Sequence, residues 1–159
     1  VLSALYVTTT IKITTAIGKK INDIWRAATL EVSDAENITS CLTYQQFPPQ
    51  KKDDPNCMGI DANAELHKDH LILIISVYWH QADQTARFNK VFKDAMEKIE
   101  IAAEEENALH PYRYSNYASW WQEPPKTWGA KAIEDLAEVS RKYDPNGFFQ
   151  KQVVGYRLA

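Results

Sequence analysis

The chain opens on an alternation. Leu5, Val7, Thr9, Ile11 and Ile13 alternate with Tyr6, Thr8, Thr10 and Lys12. A period of two with many β-branched residues predicts a strand over residues 4–13. The period then becomes helical. Ile17, Ile21, Ile24, Trp25 and Ala28 fall on one stripe, Thr14 or Thr15 is placed to cap it, and the predicted helix runs to Leu30. Residues 33–40 are polar and predict a loop. Residues 41–47 predict a second strand, stopped by Pro48-Pro49, and the charged, turn-rich residues 50–55 an exposed loop. The short apolar patch Asn56-Cys57-Met58-Gly59-Ile60 predicts a third strand, and residues 61–69 are polar again. Residues 71–79 are continuously apolar and predict the central strand.

Asp83 is placed as the N-cap of the longest helix, whose buried stripe is Phe88, Val91, Phe92, Ala95, Ile99, Ala102 and Ala103. Residues 110–118 predict a return to strand. After the Pro124-Pro125 break, Thr127 is placed to cap a last helix carrying Ile133, Leu136, Ala137, Ser140 and Tyr143 on one side. Asp144-Pro145-Asn146-Gly147 ends that helix by turn chemistry, and Phe148-Phe149 is expected to dock back on the body. The predicted order is β-α-β-β-β-α-β-α plus a tail. It implies an α+β fold over residues 1–159 as one domain, a mostly antiparallel sheet covered on one face by helices.

Composition narrows the function classes. The 159 residues carry a net charge of -3, which gives no electrostatic reason to expect nucleic acid or an anionic membrane surface as partner. No apolar run approaches the ~20 residues that span a bilayer. No basic segment followed by an apolar one marks a signal peptide; the chain starts at Val1 and reads as a processed product or a piece of something longer. Asn37-Ile38-Thr39 is an N-glycosylation sequon and leans toward the secretory pathway.

Few stretches carry recognisable chemistry. The five glycines are scattered and form no phosphate-binding loop, and no serine sits in a nucleophile elbow. His67-Lys68-Asp69-His70 offers two imidazoles without a nearby third ligand, so these are read as surface histidines and no metal is expected. Cys41 and Cys57 lie on neighbouring predicted strands; they are read as buried free thiols, with a disulfide as the alternative. The densest hydrogen-bonding aromatic stretch is Tyr114-Ser115-Asn116-Tyr117-Ala118 followed by Trp120-Trp121. On a strand, Tyr114 and Asn116 would share one face and Ser115 and Tyr117 the other. A catalytic tyrosine also needs a cation or a donor to stabilise its phenolate.

This stretch, with Gln122-Glu123-Pro124, Trp128-Gly129, Leu136 and residues 140–150, resembles the C-terminal end of fungal FAD-linked oxidases of the berberine bridge enzyme type. Upstream, Leu42-Thr43-Tyr44-Gln45-Gln46-Phe47, Asn56-Cys57-Met58-Gly59-Ile60 and residues 71–79 resemble the strands of that family's substrate-binding domain. The resemblance covers that domain and its C-terminal segment, here about residues 112–159, and leaves out the FAD-binding domain with its flavin attachment sites. It implies Tyr117 as catalytic base and Tyr114 beside it, with Asn116 toward the flavin. Gln46, Asn56, Met58, Trp120 and Trp121 are implied as substrate-facing. In such enzymes a base takes a proton from a small organic substrate while hydride moves to the flavin. The implied cofactor is FAD, held only with a partner FAD-binding domain or chain; self-association is the alternative for covering the exposed apolar face. A stand-alone cofactor-independent cyclase or isomerase of secondary metabolism, and a non-catalytic small-ligand binder, are the competing functions.

Overall fold

The computed structural model describes residues 2–47, 57–60, 66–153 and 155. The chain runs β1 (Ser3–Lys12), α1 (Thr15–Glu31), β2 (Thr39–Gln46), α2 (Leu66–Asp69), β3 (His70–Trp79), α3 (Thr85–Glu105), β4 (Leu109–His110), α4 (Ala130–Tyr143) and α5 (Phe148–Gln152). Three 3₁₀ turns punctuate it, at Ala82–Gln84, Ser115–Tyr117 and Pro124–Thr127. The strands form one antiparallel sheet in the order β2-β3-β1-β4, so the apolar run β3 is central and flanked on both sides. The fold is α+β, as the periodicity predicts.

Residues facing each other across antiparallel strands point to the same side of the sheet. Leu5, Val7 and Ile11 of β1 therefore share a face with Leu73, Ile75, Val77 and Trp79 of β3. That face packs on Ile17, Ile21 and Ala28 of α1 and on Phe88, Val91, Phe92, Ala95, Met96, Ile99 and Ala103 of α3. Thr14 caps α1 as its position implies, its Oγ1 accepting from the Ile17 amide at 3.3 Å. Arg87 ties α3 to the end of α1, pairing both guanidinium nitrogens with Asp34 and donating to the Glu31 carbonyl at 2.7 Å. Among the described residues no helix is long and apolar enough to cross a membrane.

The other sheet face has its own core of Phe47, Ile60, Leu66, Ile72, Ile74, Tyr112 and Trp128, with Ala132, Ile133 and Leu136 of α4 laid against it. The returning C-terminal segment thus covers part of the second face. Gly59 locks this layer together: its φ is +72°, and a Cβ there would lie 2.0 Å from the Trp128 carbonyl oxygen.

Several local expectations are corrected. Residues 57–60 form a turn and a bend, not a strand, with Gly59 in the left-handed region. The predicted strand over 110–118 ends at His110, because Pro111 has no N–H to continue the ladder. The cap of α3 is Gln84, and Asp83 lies inside a 3₁₀ turn. The cap of α4 is Gly129; the Thr127 hydroxyl instead donates to the Pro124 carbonyl. Residues 66–69 are helical, not loop, and His67 and His70 are half-buried. Cys41 and Cys57 are free but exposed, not buried. Phe148 and Phe149 do not dock: they stay 58% and 62% exposed at the start of α5, whose first amides are capped by the Asp144 carboxylate.

Candidate active site

The unmatched edge of β1 positions the site. β4 pairs with β1 only at Thr10 and Ile11, which leaves the Tyr6 and Thr8 backbone groups on that edge without a strand. Side chains of the returning segment take the strand's place. The Gln122 carboxamide accepts from the Thr8 amide at 3.1 Å and donates to the Thr8 carbonyl at 2.7 Å, as a peptide group would. It also accepts from the Ser119 amide at 3.1 Å, and the Ser119 hydroxyl donates to the Tyr6 carbonyl. Arg113 adds a donor to the Thr8 carbonyl at 3.3 Å, pairs with Glu100 at 2.5 Å and donates to the Thr9 hydroxyl at 2.6 Å. The segment is then stitched to the Pro124–Thr127 turn, with the Arg113 amide donating to Thr127 and the Trp128 indole donating to the Arg113 carbonyl.

This clamp carries Tyr114 and Tyr117 over the second face of the sheet. Ser115–Tyr117 is a 3₁₀ turn, so the strand alternation expected for Tyr114 and Tyr117 does not apply. Both rings lie on the same side and meet, with centroids 6.1 Å apart, and Tyr117 also meets Tyr6 at 5.9 Å. The Tyr6 and Tyr78 hydroxyls share a 2.7 Å hydrogen bond. That bond, reinforced by burial, raises the Tyr6 ionisation above its usual value and keeps the phenol neutral. Asn116 is exposed and donates to the Tyr114 hydroxyl at 3.0 Å. Met58 is half-buried in the same layer, its sulfur accepting from Ser115 at 3.2 Å. Among the described residues the Tyr117 hydroxyl has no hydrogen-bond partner.

Cross-strand register defines the floor beneath these rings. Tyr6, Ser76 and Cys41 form one row, Ala4, Tyr78 and Thr39 the row above it, and Thr8, Ile74 and Thr43 the row below. Tyr6, Tyr78 and Ser76 are site residues that the sequence reading missed. Their signal was present: Tyr6 stands on the polar side of the β1 alternation, and Ser76 and Tyr78 place polar atoms at period two near the end of an otherwise apolar strand.

The structure does not bring all the expected residues together. Gln46 pairs with Leu71 and so belongs to the helix-side face, with Tyr44 and Leu42; Gln45 is the one on the tyrosine side. Trp121 packs against the helix-side core with the Lys93 ammonium 5.8 Å from its ring, and Trp120 is 84% exposed against it. Neither indole joins the tyrosine cluster. Asn56 lies outside the described residues. Asn37 is exposed on the turn before β2, at a φ of +55° that asparagine tolerates. Among the described residues no three His, Cys, Asp or Glu side chains are grouped to hold a metal ion.

Comparison with known proteins finds sequence similarity to FAD-dependent monooxygenases. The chain is 31% identical over 100 residues to an FAD-dependent monooxygenase of Aspergillus calidoustus, covering 63% of this chain and 18% of that protein. It is 32% identical over 114 residues to an FAD-dependent monooxygenase of Fusarium proliferatum, covering 72% and 22%. An oligopeptidase of Diaporthe leptostromiformis matches at 26% over 136 residues, but the shared part is 11% of that protein, too little to attach its name to the shared part. The chain therefore spans about a fifth of the length of the monooxygenases it matches. No family model and no solved structure matches it. The similarity is to fungal FAD-linked enzymes.

Proposed function

We propose that this chain is the substrate-side part of an FAD-dependent oxidoreductase of the berberine bridge enzyme type. The observation that carries the reading is the Tyr114–Tyr117–Tyr6 cluster standing over an open sheet face, in a chain similar to FAD-dependent monooxygenases. Tyr117 is the proton acceptor, Tyr114 its neighbour fixed by Asn116, and the sheet face holds a small organic substrate. FAD supplies the two-electron acceptor when bound.

The residues present fit one side of a flavin ring, and not the rest of the cofactor. Neutral aromatic and hydroxyl groups suit the face of a ring. A pyrophosphate needs a cluster of amides or cations, and the site's described residues supply none. The phosphate-binding surface then belongs to another domain or chain. The exposed apolar side chains of the C-terminal helices support such a partner: Val139 and Tyr143 share one side of α4, and Phe148 and Phe149 lead α5. A general base also needs a donor or cation beside its oxygen. Tyr117 has none within the described residues, so in this reading a group beyond them supplies it. The exposed sequon at Asn37 supports passage through the secretory pathway.

The test is made on native protein carrying this sequence, isolated from its source. A yellow preparation with the flavin absorption band is expected, and Tyr117→Phe is expected to lower kcat about 10²- to 10⁴-fold without changing that band. A colourless preparation that turns over substrate would make the chain a cofactor-independent cyclase or isomerase instead. Activity of Tyr117→Phe within about twofold of the parent would remove Tyr117 from the chemistry.

A further inference from the structure

The floor of the site carries hydrogen-bonding capacity that the described residues do not use. In the Tyr6–Tyr78 pair one hydroxyl donates and the other accepts. Whichever donates, the accepting hydroxyl keeps a proton that has no partner among the described residues, and both oxygens keep acceptor capacity. Ser76 sits beside Tyr6 in register and is only 7% exposed, yet its hydroxyl also has no partner among the described residues. None of these three hydroxyl oxygens is among the fully buried unpaired ones, so each is open to a ligand on this face. A tyrosine pair serving only to anchor the sheet would have spent its protons inward; this one holds a donor on the face that Tyr114 and Tyr117 overhang.

Charge is as informative as polarity. The rows from Thr39 to Thr43 carry Thr39, Cys41, Thr43, Ser76, Tyr78, Ile74, Ala4, Tyr6 and Thr8, with no carboxylate, ammonium or guanidinium. Tyr114, Ser115, Asn116, Tyr117 and Met58 above them are neutral as well. The nearest guanidinium is that of Arg113, on the Thr8 carbonyl at the β1 edge, and it is already neutralised by Glu100 at 2.5 Å; Lys12, six residues down β1 and about 20 Å away, pairs with Asp69 at 2.6 Å. An ionised substrate group on this floor would lose its hydration without gaining a counter-ion. A neutral oxygen on a flat ring would take the spare hydroxyl donor and place its ring against the tyrosine faces.

We propose that the Tyr6, Tyr78 and Ser76 hydroxyls form the recognition subsite for a neutral oxygen function, phenolic or carbonyl, on a planar ring, and that this subsite selects against carboxylate and ammonium ligands. The proposal rests on the reading of this face as substrate-binding, but its test needs no flavin. The 159-residue chain, carrying ring-labelled tyrosine, is titrated in nuclear magnetic resonance with three probes of one ring size: naphthol, naphthoate and naphthylmethylammonium. Naphthol is expected to bind at least about tenfold more tightly than either ion and to shift the Tyr6 and Tyr78 signals, one well-placed hydrogen bond to a sheltered donor being worth about that factor. Because Tyr78→Phe alone would leave the Tyr6 hydroxyl free to donate, both hydroxyls are removed together: the Tyr6→Phe, Tyr78→Phe double variant keeps both rings and is expected to weaken naphthol about tenfold and leave the two ions unchanged. Ser76→Ala is expected to weaken naphthol by a smaller factor and serves as a second variant should the double substitution perturb the fold. Equal binding of the ions, full naphthol affinity in both variants, or no naphthol binding at millimolar concentration would each overturn the proposal. Naphthol bound as expected, by a protein whose native preparation is colourless, would instead retain the subsite and reject the oxidoreductase reading.

Discussion

Removing the Gln122 carboxamide tests the idea that one side chain completes the sheet edge and thereby holds the site. Gln122 makes three hydrogen bonds: two to Thr8 and one to the Ser119 amide, at 2.7 to 3.1 Å. Each net bond is worth about 1 kcal/mol, and an orphaned, sheltered amide costs more than a simple loss. The Thr8 carbonyl keeps a weaker donor in Arg113 at 3.3 Å, but the Thr8 amide has no replacement, and Thr8 is fully buried. Gln122→Ala is therefore expected to destabilise by about 2 to 3 kcal/mol, or about 5 to 10 °C in Tm for a chain of this size. Gln122→Glu separates hydrogen bonding from packing. Its carboxylate still accepts from the two amides but cannot donate to the Thr8 carbonyl, and it sets a negative charge against that oxygen. It should fall between the parent and Gln122→Ala. The assay is urea unfolding followed by circular dichroism, with the denaturant slope expected to stay constant. A Gln122→Ala midpoint within about 0.5 kcal/mol of the parent would refute the claim that this carboxamide substitutes for a strand. Unchanged Tyr114 and Tyr117 resonances in the same variant would refute its role in placing the site.

Two further predictions concern the frame around the site. Gly59→Ala puts a methyl group into the Trp128 carbonyl at a left-handed φ, and is expected to cost about 2 to 4 kcal/mol by the same unfolding assay, whereas a surface substitution such as Lys19→Ala changes little. The Arg87 guanidinium beside Asp34 holds its carboxyl below the ordinary 3.8. A depressed carboxyl contributes stability that is present above pH 3.8 and is lost as pH falls through the lower folded value. Asp34→Asn should accordingly flatten the acid limb of the urea midpoint against pH, and an unchanged limb would show that the pair does not link α3 to the end of α1.

The parts of the fold legible in the sequence are those whose burial is periodic. β1, α1, β3 and α3 each bury one face or stripe against a partner the pattern already implies, and their limits fall within a residue or two of expectation. The site was legible only as composition. Tyr114 and Tyr117 were singled out, but their relation depends on Pro111 ending β4 and on Gln122 clamping the edge of β1 from 114 positions away, neither of which has a local period. Parity shows the same limit from the other direction. Gln45 and Gln46 are indistinguishable as side chains, and only the pairing of Gln45 with Ile72 puts one of them on the tyrosine side. Trp120 and Trp121 look like site residues because they are aromatic and adjacent, yet the clamp that brings Tyr117 over the face turns them to the helix side. The residues hardest to foresee, Tyr6, Tyr78 and Ser76, come from strands whose register is set by the core on the opposite face. Because Leu73, Ile75 and Val77 must meet the helices, Ser76 and Tyr78 must face away from them. The polar floor is thus fixed by the packing of the apolar side, and a substitution that shifted β3 by one residue would remove the floor before it touched any hydroxyl.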